Sequence, residues 1–435
     1  MTTERQKLKE QLLSLGLVAD DIVRHGSLLQ GALAGESKRT FKILETCRFD
    51  NGAMLKLPAK SIANPATGYL AFVMAAGAAS RYSQPLDRLS QAVETHNLVE
   101  LEASLKALAD EGALSWPLPQ QLAALVAAPS LARSLEPSAL SHLAEAIQLP
   151  KALMPCVKEG LSFLAMKHRE HAHLTGLAGE VYVAPVGRRA AFLAELATAK
   201  SAQSGAPHLK SSVLEQGAQL STIRFNRDGS PYLDPSGSPS LVPAGHGALT
   251  RLFPAAHALV PEADSLFIRN IDNIMGVGAE AVAATHSFLS LHRHMLTAVR
   301  AIRLALADDR LDTAAEVAGG LLRQLLPGSA ATFTANNAED PLRALISLQQ
   351  QVFHSPMSAN PSTDELKKLY ARPVNLMGQV PNISNDIGGT PCFVAVDQHL
   401  PRLKVSLELP HVSPEDRRDV LANSKLATHF NPGFC

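Results

Sequence analysis

The sequence predicts an α/β protein built on a mostly parallel sheet, and three observations carry that prediction. Residues 70–73, Leu-Ala-Phe-Val, form a short apolar run of the kind that fills a buried strand. A helix over 157–174, a strand over 179–184 and a helix over 187–200 follow one another at the spacing of strand–helix–strand units. Residues 264–269 read as a further short buried strand ending in Asn270-Ile-Asp-Asn273. At 435 residues and 46% hydrophobic content, the chain can bury a core of that size.

The remaining elements follow in order. Residues 3–34 read as two helices, and 39–57 as irregular or extended chain; together they predict an N-terminal cap over 1–66. Residues 84–150 are rich in Ala and Leu at spacings of three and four, broken at Pro117, Pro119, Pro129 and Pro137, which predicts a helical insert. A strand over 220–225 precedes the turn signals Asn226-Arg-Asp-Gly and Asp234-Pro-Ser-Gly. A long helical segment spans 278–353, in pieces at 278–308, 311–326 and 338–353. Strands are expected over 372–378, 391–396 and 403–409, and Ser413-Pro-Glu-Asp416 opens a helix with a good N-cap.

Several stretches are candidates for chemistry. Ala75-Ala-Gly-Ala-Ala-Ser-Arg81 follows the first strand, and its small residues suit either a phosphate near backbone N–H groups or plain tight packing. Lys151 stands between Pro150 and Pro155 in an expected extended loop, as a phosphate contact or as a solvated turn lysine. Gly245 and Gly247 flank His246 before a helical pattern, where a ligand could approach the backbone or where the chain simply turns. Asp272 sits at a strand's carboxyl end, where ligands of open α/β sheets bind. It could hold Mg²⁺ or cap the next helix. Lys167-His-Arg-Glu-His-Ala-His173 has three histidines in close sequence, but no cysteine or paired carboxylate at ligand spacing, and reads as a polar helix end.

Composition narrows the class. Lys plus Arg and Asp plus Glu are both 40, so no basic excess points to nucleic acid. No stretch has the apolar length of a membrane span, and the charged N-terminus lacks a signal core. The four cysteines Cys47, Cys156, Cys392 and Cys435 are scattered without metal spacing and read as free thiols. A cytoplasmic protein is expected, with no membrane or nucleic-acid partner; the oligomeric state is left open.

Read together, four of these stretches resemble the sugar nucleotidyltransferases. Ala75-Ala-Gly-Ala-Ala-Ser-Arg81 resembles their signature loop, and Pro150-Lys-Ala-Leu-Met-Pro155 their second, phosphate-contacting motif. Pro243-Ala-Gly-His-Gly247 is similar to the nucleotide-contacting loop of the UDP-sugar pyrophosphorylases, and Asn270-Ile-Asp-Asn273 to their metal-aspartate strand end. With Arg372-Pro-Val-Asn-Leu-Met-Gly378, Gly388-Gly-Thr-Pro391 and Thr428-His-Phe-Asn-Pro432, the chain more narrowly resembles the bacterial family catalogued as domain of unknown function 4301. That family usually has Gln-Lys-Pro-Ser-Thr where this chain has Glu215-Gln-Gly-Ala-Gln-Leu-Ser-Thr222, and tends to continue past the point where Gly433-Phe-Cys435 ends this one.

The resemblance implies a nucleotide-diphospho-sugar transferase-like, Rossmann-like mixed sheet over 67–435, with the cap and helical insertions attached. It implies an NTP and a sugar phosphate as partners and Mg²⁺ as cofactor. Ala76, Gly77, Ala78, Ala79 and Ser80 would cradle the triphosphate, and Gly245, His246 and Gly247 would face the base. Arg81 and Lys151 would neutralise the reacting phosphates, and Asp272 with Asn431 would bind the metal. A non-catalytic nucleotide or sugar-phosphate binder on the same fold, and a helical interaction protein, are the rival expectations.

Overall fold

The structure, a computed structural model, describes residues 2–34, 41–57, 67–76, 89, 92–93, 95–110, 120–147, 150–154, 160–202, 209–234, 237–327, 341–358, 360–383, 389–395, 402–408 and 411–435. The chain divides into two compact units, one of residues 1–35 with 68–282 and the other of 36–67 with 283–435.

The first unit is organised on a parallel four-stranded sheet. Its strands are β2 (Tyr69–Met74), β3 (Leu177–Pro185), β4 (Ser211–Gln216) and β7 (Ser265–Asn270), in the order β4-β3-β2-β7. All three pairings are parallel, with Phe72 opposite Val181 on one side and Ile268 on the other. Parallel strands are covered on both faces, which accounts for the unbroken apolar run of β2. On one face Leu70, Phe72, Val181 and Val183 pack with Leu249, Ala256 and Val260, the latter two on or next to helix α9 (Phe253–Leu259). On the other face Val73, Tyr182, Ala184 and Val213 pack with Leu164 of α6 (Phe163–Ala172) and Phe192 of α7 (Arg189–Ser201).

The described residues between β2 and β3 are largely helical. They include α3 (Leu98–Asp110), α4 (Gln120–Ala127) and α5 (Pro137–Ile147), whose leucines join the second of these cores. Lys151 lies in a single 3-10 turn, Lys151–Leu153, rather than in extended chain. Strand β4 was not expected from the sequence, whereas the strand expected over 220–225 is β5 (Ser221–Ile223), paired antiparallel with β6 (Leu241–Pro243). Strand β4 is an edge strand, and only Val213 and Gln216 of its six residues are buried.

The expected cap over 1–66 does not form one piece. Helices α1 (Thr2–Ser14) and α2 (Ala19–Leu33) belong to the first unit, where Leu12 and Leu17 pack on Ile223 and Asp21 pairs with Arg251. Strand β1 (Lys42–Thr46) belongs to the second unit, because its backbone is paired antiparallel with β9 (Thr390–Ala395). A segment hydrogen-bonded into a distant sheet cannot be part of a separate N-terminal cap.

The second unit has a helical core and small antiparallel sheets. Residues of α10 (Ala279–Ala307), α11 (Leu311–Leu325), α12 (Pro341–Gln351) and α13 (Thr363–Tyr370) bury Ile302, Leu322, Leu345 and Leu366 together. Strand β10 (Leu403–Leu407) completes the sheet β1-β9-β10, and β8 (Val380–Pro381) pairs with β11 (His429–Phe430). The strand expected over 372–378 is irregular chain instead, as Pro373 withholds a ladder donor. Ser413 caps a helical turn as expected, accepting the Asp416 N–H at 3.0 Å. No helix among the described residues is long and apolar enough to cross a membrane.

Candidate functional site

The order β4-β3-β2-β7 contains a change of direction. The chain winds from β2 outward to β3 and β4, then returns to place β7 on the other side of β2. In an open parallel sheet the carboxyl ends of the two strands at such a reversal bound a ligand crevice. Here those ends are Met74 and Asn270, which are register partners, followed by Ala75-Ala76 and Ile271-Asp272.

Lys151, expected to contact phosphate, and Asp272, expected to bind Mg²⁺, meet at this point. Lys151 Nζ lies 2.9 Å from Asp272 Oδ2, although 121 positions separate them in the sequence. The Lys151 ammonium also stands 5.7 Å from the centre of the Phe163 ring, so it is held from two sides. The Asp272 side chain is 41% exposed and accessible to a ligand.

The glycine loop lies at the same end of the sheet, beyond β4. Gln216, the last residue of β4, donates from Nε2 to the carbonyls of Ala244 at 2.9 Å and Leu220 at 3.1 Å. Gly245, His246 and Gly247 follow, all exposed, and a Cβ at either glycine would meet open space. The glycines are thus not required by local packing, and they leave the backbone open to approach from outside. Gln216 Oε1 is buried without a hydrogen-bond partner among the described residues. The sequence did not single out Gln216, whose role depends on the unexpected strand β4.

Ala76 is buried at the end of β2, whereas Gly77, Ala78, Ala79, Ser80 and Arg81 lie outside the described residues. Asn431 belongs to the second unit, and its side chain is already engaged. Its Oδ1 accepts the N–H groups of Gly433 at 2.7 Å and Phe434 at 3.3 Å, and its Nδ2 donates to the Gly378 and Phe434 carbonyls. Gly389, with φ of +66°, leaves room for the Asn431 carbonyl where a Cβ would come within 2.7 Å. Asn431 thus acts as a local tie, with its amide oxygen turned to backbone N–H groups.

The segment expected to be a polar helix end is the largest departure from the sequence reading. Lys167, His168, Glu170 and His171 of α6 are all buried against the sheet. Glu180 of β3, wholly buried, receives the Nδ1 atoms of His168 and His171 at 2.6 and 2.7 Å, the Tyr182 hydroxyl at 2.9 Å and the Ser211 hydroxyl at 2.6 Å. Burial alone would raise its pKa, but the histidine hydrogen bonds outweigh it and hold the carboxyl well below its ordinary range. Burial lowers the His171 pKa, against the opposing pull of Glu180.

A second buried group lies beneath Asp272. Glu170 accepts from Lys167 Nζ at 2.9 Å and Arg269 Nη2 at 3.4 Å, and from the backbone N–H groups of Met275 and Gly276. Lys167 Nζ and Arg269 Nη2 also donate to the Asn273 carbonyl. Burial, reinforced by Arg269, pushes Lys167 down to about 7 in spite of Glu170. An ionisable residue in the middle of an apolar strand, as in Phe267-Ile268-Arg269, was the available sequence signal for this cluster.

The donor set bears on metal binding. Among the described residues no group of three or more His, Cys, Asp or Glu side chains could hold a metal ion. His168 and His171 both turn Nδ1 to one carboxylate, which is a hydrogen-bonded core arrangement. Mg²⁺ is commonly held by one or two carboxylates with substrate phosphates and water supplying the rest. An exposed carboxylate such as that of Asp272 fits that pattern, whereas the Asn431 amide oxygen is already taken up by backbone N–H groups.

A family model described as Domain of unknown function (DUF4301) matches residues 187–434. No curated relative and no solved structure matches the chain. The matched stretch takes in β4, the loop at 245–247, Asp272 and Asn431, and begins after Lys151, Glu170 and Glu180.

Proposed function

We propose that this chain, which belongs to the DUF4301 family, is a Mg²⁺-dependent nucleotidyltransferase joining an NTP to a sugar 1-phosphate. The observation that carries this reading is the Lys151–Asp272 pair, 2.9 Å apart at the reversal point of a parallel sheet. Further support comes from the open Gly245–Gly247 backbone at the same end of the sheet. The likeness to nucleotidyltransferases rests on the order of the sequence motifs.

In this reading a phosphate oxygen of the sugar phosphate attacks the α-phosphorus of the NTP. The new phosphorus–oxygen bond forms as the bond to the β-phosphate oxygen breaks, and pyrophosphate leaves. Lys151 holds the phosphate at the reacting centre, Arg81 carries the charge of the departing pyrophosphate, and the backbone at 76–80 orients the triphosphate. Asp272 would hold Mg²⁺, which would supply positive charge to the phosphate oxygens. Positioning and charge neutralisation then carry the rate, since little covalent chemistry is asked of the protein.

The test is pyrophosphate release across a panel of NTPs and sugar 1-phosphates, with Asp272→Ala and Arg81→Ala as controls. Each substitution is expected to cost about a hundredfold or more in turnover, by analogy with losing one charge contact to a transition state, and to leave the fold intact. Unchanged turnover in both variants overturns the reading. The engagement of Asn431 with backbone favours a second reading, a nucleotide or sugar-phosphate binder without turnover. Mg²⁺-dependent thermal shifts with NTPs, and no pyrophosphate from any sugar phosphate, would select it.

A further inference from the structure

We propose that Glu170 is the positioning residue of the site: with Lys167 and Arg269 it clamps the loop 271–276 and so fixes where Asp272 presents its carboxylate. The metal half of this proposal rests on the reading of Asp272 as the Mg²⁺ ligand.

The geometry is a clamp on backbone. Three side chains from two elements, α6 and β7, take hold of three backbone groups of one loop. Glu170 accepts both the Met275 and Gly276 N–H groups, the latter at 2.7 Å. Lys167 and Arg269 both donate to the Asn273 carbonyl, Arg269 at 2.8 Å. The groups held, 273, 275 and 276, immediately follow Asp272. Gly276 has φ of +83°, a left-handed conformation that presents its N–H to the carboxylate and that other residues adopt only with strain.

Stability does not account for this arrangement. Removing charges from water costs several kcal/mol per ion, and apolar side chains of similar volume commonly serve a core as well or better. Lys167, Glu170 and Arg269 are each at most 4% exposed, so the cost applies to all three. A buried ionic cluster in contact with backbone polar groups fixes position, because each partner left unpaired would be heavily penalised. The loop it fixes is the one that carries the exposed carboxylate at the sheet's reversal point. Shells of this kind behind a metal-binding carboxylate alter metal affinity when removed.

The experiment uses the full chain and Glu170→Gln. Amide hydrogen exchange is read at Met275 and Gly276 and, as reference, in β2 and β3. Binding of whichever of the four common NTPs the wild type holds tightest is measured in EDTA and across a MgCl₂ titration. Exchange at Met275 and Gly276 is expected to speed up about tenfold or more while the reference strands stay protected. The Mg²⁺ half-point is expected to rise about tenfold, with binding in EDTA unchanged, a split that general destabilisation would not produce.

If Glu170→Gln fails to fold, Lys167→Met/Glu170→Gln removes one cation with the anion and is expected to show the same two shifts. Unaltered exchange at Met275 and Gly276 overturns the clamp, and a faster loop with an unmoved Mg²⁺ half-point overturns its role in presenting Asp272. If the wild type shows no NTP or Mg²⁺ effect at all, the nucleotidyltransferase reading and the metal half fall together, and the exchange data alone decide the clamp.

Discussion

The two faces of the parallel sheet are built from different chemistry. Under α9, Leu70, Phe72, Val181 and Val183 belong to one apolar cluster, with Leu249 and Val260 fully buried among them. Under α6, Glu180 of β3 and Arg269 of β7 turn inward, against Lys167, His168, Glu170 and His171. Area removed from water stabilises the first face at about 25 cal/mol per Å². The second face gives up part of that gain to desolvation and obtains directional bonds in return. Both faces bury apolar cores, and the difference is that the second adds directional bonds able to aim a strand-end loop.

The largest effect should come from breaking the directional side. Glu180→Gln leaves two imidazoles, a phenol and a serine hydroxyl without their shared carboxylate, and is expected to cost about 3–5 kcal/mol. Leu70→Ala on the apolar face is expected to cost about 2–5 kcal/mol, set by how far the site collapses. Urea midpoints alone do not separate the two, but pH does. The Glu180 carboxyl is held below its unfolded range, so its contribution is full at neutral pH and is lost as pH falls through the acid range. The cost of Leu70→Ala should stay constant over the same titration. A Glu180→Gln cost that does not shrink in acid would remove the electrostatic account of this face.

This contrast also explains what the sequence made legible. The apolar face was readable because unbroken runs such as 70–73 announce buried parallel strands, and the helical insert because its apolar spacing is regular. Asp272 was readable because it ends a strand. The ionic face was not, because Lys167-His-Arg-Glu-His looks like a solvated surface to any rule based on polarity. Its burial is decided by partners at 180, 211 and 269, which local sequence does not reveal. Strand β4 was missed for a related reason: an edge strand reading Ser-Ser-Val-Leu-Glu-Gln has too few buried positions to show a period. Asn431 was assigned by motif likeness, but its side chain is used by neighbouring backbone, a fact of tertiary geometry. Residues 77–81, including Arg81, lie outside the described residues and stand as the sequence left them.

A smaller effect sharpens the comparison on the basic side of the pH scale. Burial, with Arg269 adding to it against Glu170, lowers Lys167 from its ordinary 10.5 to about 7. Between those values the unfolded chain binds a proton that the folded chain does not, so stability rises with pH. The contribution is lost as pH falls from about 10.5 to about 7 and is flat below, with a slope of at most about 1.4 kcal/mol per pH unit. Lys167→Met should remove that slope, which is read as the pH dependence of the urea-derived stability difference between wild type and variant. An identical slope in both proteins would mean that Lys167 keeps its ordinary pKa in the fold.

The smallest effect tests how the two covering helices are held. Helix α6 starts at Ser162, which is extended at φ −63° and ψ 156° and accepts the Ala165 N–H on Oγ at 3.0 Å. Helix α9 starts without a side-chain cap, since Leu252 is already helical at φ −85° and ψ −6° and continues a preceding 3-10 turn. Ser162→Ala should therefore cost about 1 kcal/mol, while Leu252→Ser should gain no cap, because a capping side chain needs the extended conformation that Leu252 lacks. Thermal melts measure both. A Ser162→Ala protein as stable as wild type would show that α6 is fixed by its buried charges alone, so that the ionic face orders its own helix as well as the loop beyond it.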